Sequence, residues 1–310
     1  MKTKPRLRAP WTRARDDELL HSVDAQKADA DSLNARQPTL PPVKQIRGTR
    51  SLAIPSWLLM SAGLTLVLLA WIYVSSHQVA QFGLVPSPLV TLTALFSLLA
   101  RGPFWDDLLT TLYRMIIGFT VSVVLGIPMG IGIGLSRTLS AMFGGIIDSL
   151  KYTPISAFIP LSIILFGVGD AQKVAVLLLA TGPYMAVMTA DAVRSSRVEY
   201  IEGALTLGAS RVQVISHVIL ASAAPQIWQA ARLALAIAWT YIVTAELIGA
   251  EAGLGRFLLR AERFFNVKEM FATVIIIAVI GWLSDLGFRL AYRRWFRWAV
   301  LTSQEQHSGK

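Results

Sequence analysis

The stretch RVEYIEGALTLGASRVQVISHVILASAAP, residues 197–225, decides how the rest of this chain is read. It is the longest polar-punctuated segment lying between two apolar runs that are each long enough to cross a bilayer. In its first half Tyr200, Ile201, Ala204, Leu205 and Leu207 recur at a spacing that gathers them on one side of a helix. Gly208 then stands where a helix ends on a left-handed residue. Ser210, with Gln213 three residues on, reads as a capping box that opens a second helix, whose Val214, Ile215 and Val218 share a face. The spacing predicts helix, tight glycine turn, helix. Two short helices with an apolar face, set between membrane spans, make a rigid knob offered to another protein.

Working outward, 54% of the 310 residues are hydrophobic and only 15% are charged, and the mean hydropathy is +0.54, so the chain is read as a membrane protein. There is no cysteine, which excludes a disulfide framework and a thiolate metal site. The four histidines, His21, His77, His217 and His307, are scattered, and no HExxH occurs. No GxxxxGK[ST] occurs either, so any ATP used must be hydrolysed by another chain, and no cofactor or metal is expected here.

Six spans follow from the apolar runs, which defines an all-α polytopic fold: about 54–74, 108–135, 142–168, 174–193, 227–249 and 271–290. Trp57, Trp71 and Tyr73 lie near the ends of the first, where amphipathic rings suit the membrane interface. The run 89–99 is too short to cross and reads as an interfacial or periplasmic helix. In the second span Ser122, Gly126, Gly130 and Gly134 form a small-residue stripe that admits a neighbouring helix, and Pro128 predicts a kink. The third is interrupted at Tyr152-Thr153-Pro154 and again at Pro160, with Asp148 and Lys151 one turn apart near its start. Broken helices at membrane depth are tolerated where they face protein or a water-filled cavity. Pro154, Ser156 and Pro160 are therefore candidate pathway or packing residues, together with Thr240 and Thr244 of the fifth span. The segment 250–269 reads as a loop of mixed charge. Glu246 and Asp285 are the well-embedded acids; they read either as functional groups or as packing partners of Arg232 or Arg289.

Charge sets the expected orientation. Residues 1–50 hold eleven Lys or Arg against six acids and read as a basic, mostly disordered tail. With that tail inside, nineteen basic residues fall on the inner side and six on the outer. This places both termini and the 197–225 knob in the cytoplasm. The net charge of +10 is then explained by topology, with no nucleic acid needed. The expected division is a tail over 1–50, a first span with a periplasmic segment over 51–107, a core over 108–298 and a short cytoplasmic tail over 299–310.

The knob resembles the cytoplasmic EAA loop of permease subunits from binding-protein-dependent ABC importers. Glu202, Gly203 and Ala204 stand at Glu-Ala-Ala, Gly208 follows after three residues, and Val218 and Leu220 fall in place; Gly203 and Ala221 depart from the pattern. The likeness extends through Thr111-Leu112-Tyr113-Arg114, Gly126-Ile127-Pro128 and Phe166-Gly167-Val168-Gly169-Asp170. It continues through Ala245-Glu246-Leu247, Gly253-Leu254-Gly255 and Asp285, and is similar to the taurine, sulfonate and nitrate branch. The resemblance implies a multi-pass permease of the bacterial inner membrane that passes a small solute. Its expected partners are a second permease subunit (as a homodimer), cytoplasmic ATP-binding subunits, a periplasmic or extracellular substrate-binding protein and the lipid bilayer. Glu202, Gly203, Ala204, Gly208, Ser210, Val218 and Leu220 would form the contact with the ATPase, and no enzymatic step is expected in this chain. The alternative is an ion-gradient-driven secondary transporter working through Glu246 or Asp285.

Overall fold

A computed structural model describes residues 55–77 and 85–298; both predicted tails, 1–50 and 299–310, lie outside the described residues. The described residues divide into two units at residue 65. Among the described residues there are ten helices and no strand. They are α1 (Ser56–Ser76), α2 (Pro88–Leu99), α3 (Gly102–Leu135), α4 (Arg137–Leu150), α5 (Ile155–Phe166), α6 (Asp170–Arg194), α7 (Val198–Thr206), α8 (Arg211–Leu247), α9 (Leu254–Arg263) and α10 (Val267–Trp295). Five are long and apolar enough to cross a membrane, and α4 with α5, bent by 85° at their break, bring the number to six if the pair is taken as one broken span.

The core of the second unit is α3 against α6, with α8 closing over α6. The small-residue stripe is the reason. A Cβ added at Gly126 would lie 2.6 Å from the Met185 Cβ, and one at Gly130 would lie 2.6 Å from the Thr189 Cβ. Backbones this close leave no room for a side chain, as expected where helix association in lipid rests on packing. α3 continues through Pro128 without dividing.

The structure corrects several boundaries. The break in the third span falls at residues 151–154 alone. Pro160 does not interrupt it, because it is the third residue of the α-helical run Phe158–Phe166. There, in the first turn, a missing N–H removes no intrahelical hydrogen bond. The segment 250–269 is not a plain loop, since α9 occupies ten of its residues. Leu254, Phe257 and Ala261 recur at helical spacing and are buried, while Arg256, Arg260 and Glu262 face outward. Phe257 meets Phe104 edge to face at 5.3 Å, within a cluster that also holds Leu98 of α2 and Ile276 of α10. Lys173 is buried in the first turn of α6.

Candidate functional site

Three groups of residues carry the chemistry: the knob, a buried ion cluster, and the broken span.

In the knob, α7 ends as its sequence predicts. Gly208 has φ 85°, its N–H donates to the Leu205 carbonyl, and the Ala209 N–H reaches back to the Ala204 carbonyl. This paired closure satisfies the last carbonyls of α7 and demands a left-handed residue at 208. Phe265 (φ 52°) takes the same position after α9, where glycine would be less strained. Ser210 and Gln213 form the capping box in both directions: the Ser210 N–H donates to Gln213 Oε1 at 2.8 Å, and the Gln213 N–H donates to Ser210 Oγ at 3.4 Å.

The knob differs from expectation in two ways. Its second helix is not a separate short piece: Arg211 begins α8, which runs unbroken for 37 residues to Leu247. At 1.5 Å per residue that is about 55 Å of continuous helix. The five apolar side chains of the first helix also do not share one face. Ile201 and Ala204 pack inward against a cluster of Ala192, Val193, Val214, Ile219 and Ala223. Tyr200, Leu205 and Leu207 point outward, Leu207 being 89% exposed, and Val212 of α8 joins them. Glu202, Gly203, Gly208 and Ser210 are exposed, whereas Ala204, Val218 and Leu220 are half-buried. An open pocket of about 430 Å³ lies beside the turn, lined by Leu207, Gly208, Gln213 and His217 among others.

The buried cluster was only partly foreseen. Glu246 is fully buried near the end of α8, and its partner is Arg114 of α3, not Arg232 or Arg289. Arg114 Nη1 donates to Glu246 Oε1 at 3.0 Å and to the Ala252 carbonyl at 2.6 Å, while its Nε donates to Asp170 Oδ1 at 2.6 Å. Glu246 also accepts from Thr111 Oγ1 at 2.8 Å and from the Gly255 N–H at 3.0 Å. The Gly253 N–H donates to Asp107 Oδ1 at 2.7 Å. A Cβ at Gly253 would lie 2.6 Å from Glu246 Oε2, so the Gly253-Leu254-Gly255 turn is shaped to close over that carboxylate. The cluster ties α3, α6, α8 and the start of α9 together with every carboxylate oxygen of Glu246 satisfied, the condition under which a buried pair holds. Arg114 carried a signal in the sequence, as a lone cation in a 34-residue apolar helix.

Asp285 does meet the partners expected for it: Arg232 binds both its oxygens, and Arg289 Nη2 lies 3.0 Å from Oδ2. The Thr244 hydroxyl donates to the Thr240 carbonyl at 2.8 Å, and the Thr240 hydroxyl reaches the Ala236 carbonyl at a longer 3.3 Å, both within α8. Pro154, Ser156 and Pro160 are exposed along the broken span. Of the residues singled out for a pathway, Thr240 and Asp285 line one cavity between α8 and α10, while Pro154, Ser156, Pro160, Thr244 and Glu246 lie outside it. Asp285 and Glu246 belong to two separate ion networks: that of Glu246 is closed off in the core, whereas Asp285 and Arg232 line a cavity of about 450 Å³. Among the described residues no group of His, Cys, Asp and Glu is placed to hold a metal.

Long apolar helices, one candidate span broken in two, with an exposed two-helix knob are the architecture of an all-α polytopic membrane protein. The chain belongs to the binding-protein-dependent transport system inner membrane component family, whose pattern it matches over residues 122–297. It is 33% identical over 240 residues to the taurine transport system permease protein TauC of Escherichia coli (strain K12), covering 76% of this chain and 87% of that one. It is 27% identical over 268 residues to the bicarbonate transport system permease protein CmpB of Synechococcus elongatus, covering 80% and 95%. Its fold is similar to a solved structure of the MetNI methionine ABC transporter in inward-facing conformations. The TM-score there is 0.55 at 22% identity, over 64% of this chain and 95% of that one. The chain is thus a permease subunit of an ABC importer, a multi-pass membrane protein whose ATPase is a separate subunit. The family implies a substrate-binding partner and a second permease as well.

Proposed function

We propose that this permease imports a small anion of the sulfonate, taurine or bicarbonate kind. In this reading it works as a homodimer in a bacterial inner membrane, with both termini and the knob in the cytoplasm. Residues 108–298 form the permease domain, and the knob receives the ATPase subunit through Glu202, Gly203, Ala204, Gly208, Ser210, Val218 and Leu220. One observation carries the coupling role: the knob is rigid, being capped at both of its inner ends, yet it leaves Leu207 and Val212 uncovered. Exposed aliphatic groups on a stiff support are the features of a docking surface. Because the second half of the knob is the first turns of α8, force applied there reaches the membrane core without crossing a hinge. ATP-driven closure of two ATPase subunits would draw the two knobs together and shift the spans between two states.

The test is reconstitution. The chain alone in liposomes should show no uptake driven by a proton or sodium gradient. Together with its ATPase and binding protein it should take up labelled taurine or bicarbonate only with ATP. Gradient-driven uptake by the lone chain would instead favour the secondary-transporter reading. Orientation is checked separately, and the lack of native cysteine makes this clean: Leu207→Cys should react with an impermeant maleimide from the cytoplasmic side only.

A further inference from the structure

A cavity of about 240 Å³ lies where the break between α4 and α5 meets α6 and α8. Five of the residues lining it are polar: Lys151 and Thr153 from the break, Tyr184 from α6, and Thr240 and Tyr241 from α8. The rest of its wall is aliphatic, and no carboxylate lines it. Every polar side chain there can donate a hydrogen bond, and one of them is a cation.

The donors are lightly used. Thr153 Oγ1 and Thr240 Oγ1 each reach a backbone carbonyl at long range, 3.4 Å to Ser149 and 3.3 Å to Ala236. The hydroxyls of Tyr184 and Tyr241 have no hydrogen-bond partner among the described residues. Lys151 Nζ lies 2.6 Å from Asp148 Oδ1, but Asp148 lines the neighbouring polar cavity and not this one. Lys151 therefore sits on the wall common to both cavities, with an acid on one side and hydroxyls on the other. An apolar enclosure with a cation, several hydroxyls able to donate and no carboxylate in its lining favours an acceptor-rich, negatively charged ligand.

We propose that this cavity is a site for a small oxyanion within the membrane. Lys151 supplies the charge, and the Tyr184 and Tyr241 hydroxyls, with Thr153 and Thr240, orient the oxygens. The proposal rests on the small-anion reading above and adds the residues that recognise the solute inside the permease. It also gives the break in the third span a purpose: the unwound turn at 151–154 brings Lys151 and Thr153 to the cavity wall, where a continuous helix would turn one of them away.

The experiment uses the full complex of permease, ATPase and binding protein in proteoliposomes, with labelled taurine, methanesulfonate and bicarbonate as probes. Lys151→Gln should lower uptake of the transported probe roughly tenfold, the order expected for losing a charge-assisted hydrogen bond. Binding-protein-stimulated ATP hydrolysis should stay within about twofold, which also reports that the complex is folded. Lys151→Arg should recover most of the uptake, and Tyr184→Phe with Tyr241→Phe should lower it several-fold at unchanged ATPase activity. Asp148→Asn separates this role from a plain ion pair. If Lys151 serves the anion, removing its acidic neighbour leaves uptake unchanged or lowers its KM. If Asp148→Asn instead copies the loss seen with Lys151→Gln, the site is overturned. Wild-type transport with full transport by Lys151→Gln overturns the site alone. A wild-type complex that hydrolyses ATP yet moves none of the three probes overturns the small-anion reading, and the site falls with it.

Discussion

Replacing Arg114 with methionine should be among the most damaging single changes in this chain. Arg114 is 8% exposed at its side chain and holds three acceptors: Glu246 at 3.0 Å, Asp170 at 2.6 Å and the Ala252 carbonyl at 2.6 Å. Asp170 is 53% exposed and can turn to water, so its loss costs little. Glu246 cannot. Fully buried, it would keep only the Thr111 hydroxyl and the Gly255 N–H. A buried charge stripped of its partner costs about 3–5 kcal/mol. Removing the exposed cation Arg101 from its pair with Glu269 provides the scale, at roughly 0–1 kcal/mol. Glu246→Gln should fall between these, at about 1.5–3 kcal/mol, because one charge-assisted acceptor is lost while the shape is kept. The assay is detergent-solubilised thermal inactivation, read as the fraction remaining monodisperse after heating, for Arg114→Met, for Glu246→Leu and for the two combined, with Glu246→Gln measured beside them. The double variant should be less damaged than the sum of its parts, since no unpaired charge remains. Additivity to within about 0.5 kcal/mol, or an Arg114→Met variant no weaker than Arg101→Met, would refute the account of the cluster.

Gly208→Val should strain the left-handed turn by about 1–2 kcal/mol and lower co-purification of the ATPase while membrane insertion is preserved. Normal association in that variant would remove the turn from the docking surface. Gly130→Leu forces a side chain into the space of Thr189 and should abolish stable folding, seen as loss of a monodisperse peak after solubilisation. Ser210→Ala removes one half of the capping box and should cost about 1 kcal/mol, a smaller effect on ATPase association than Gly208→Val.

Much of this molecule was legible in its sequence because bilayer crossing imposes few solutions. The lengths of the apolar runs placed five long helices and the bent pair α4 and α5, and the glycine and serine spacing placed α7, its turn and the capping box. The stripe at Ser122, Gly126, Gly130 and Gly134 pointed correctly at a close helix neighbour. The failures have a common cause, which is that sequence spacing reports local faces and not distant partners. Glu246 and Arg114 are 132 residues apart, so nothing local could pair them. Helix α9 was hidden because it is short and carries four charges, and its apolar side is evident only once Phe104 stands opposite. The knob's apolar residues were assigned one face because hydrophobicity alone does not distinguish side chains covered by α6 and α8 from those left bare. The cavity beside Lys151 was invisible for the same reason, being assembled from three separate spans.

Helix α8 is continuous, but it is not uniform. Between the knob and the membrane, Val214–Ile219 is wound as a π turn, the signature of one extra residue accommodated in an α-helix. Each residue advances an α-helix by about 100°. The angular phase between the outward face at Val212 and the membrane face that begins near Ala223 is therefore set by the presence of a single residue, not by the identity of any side chain. Deleting one position within 214–219 would leave every contact type available and both helical segments intact. It would swing the knob about a quarter turn around its own axis, so that Leu207 and Val212 addressed a different direction in space.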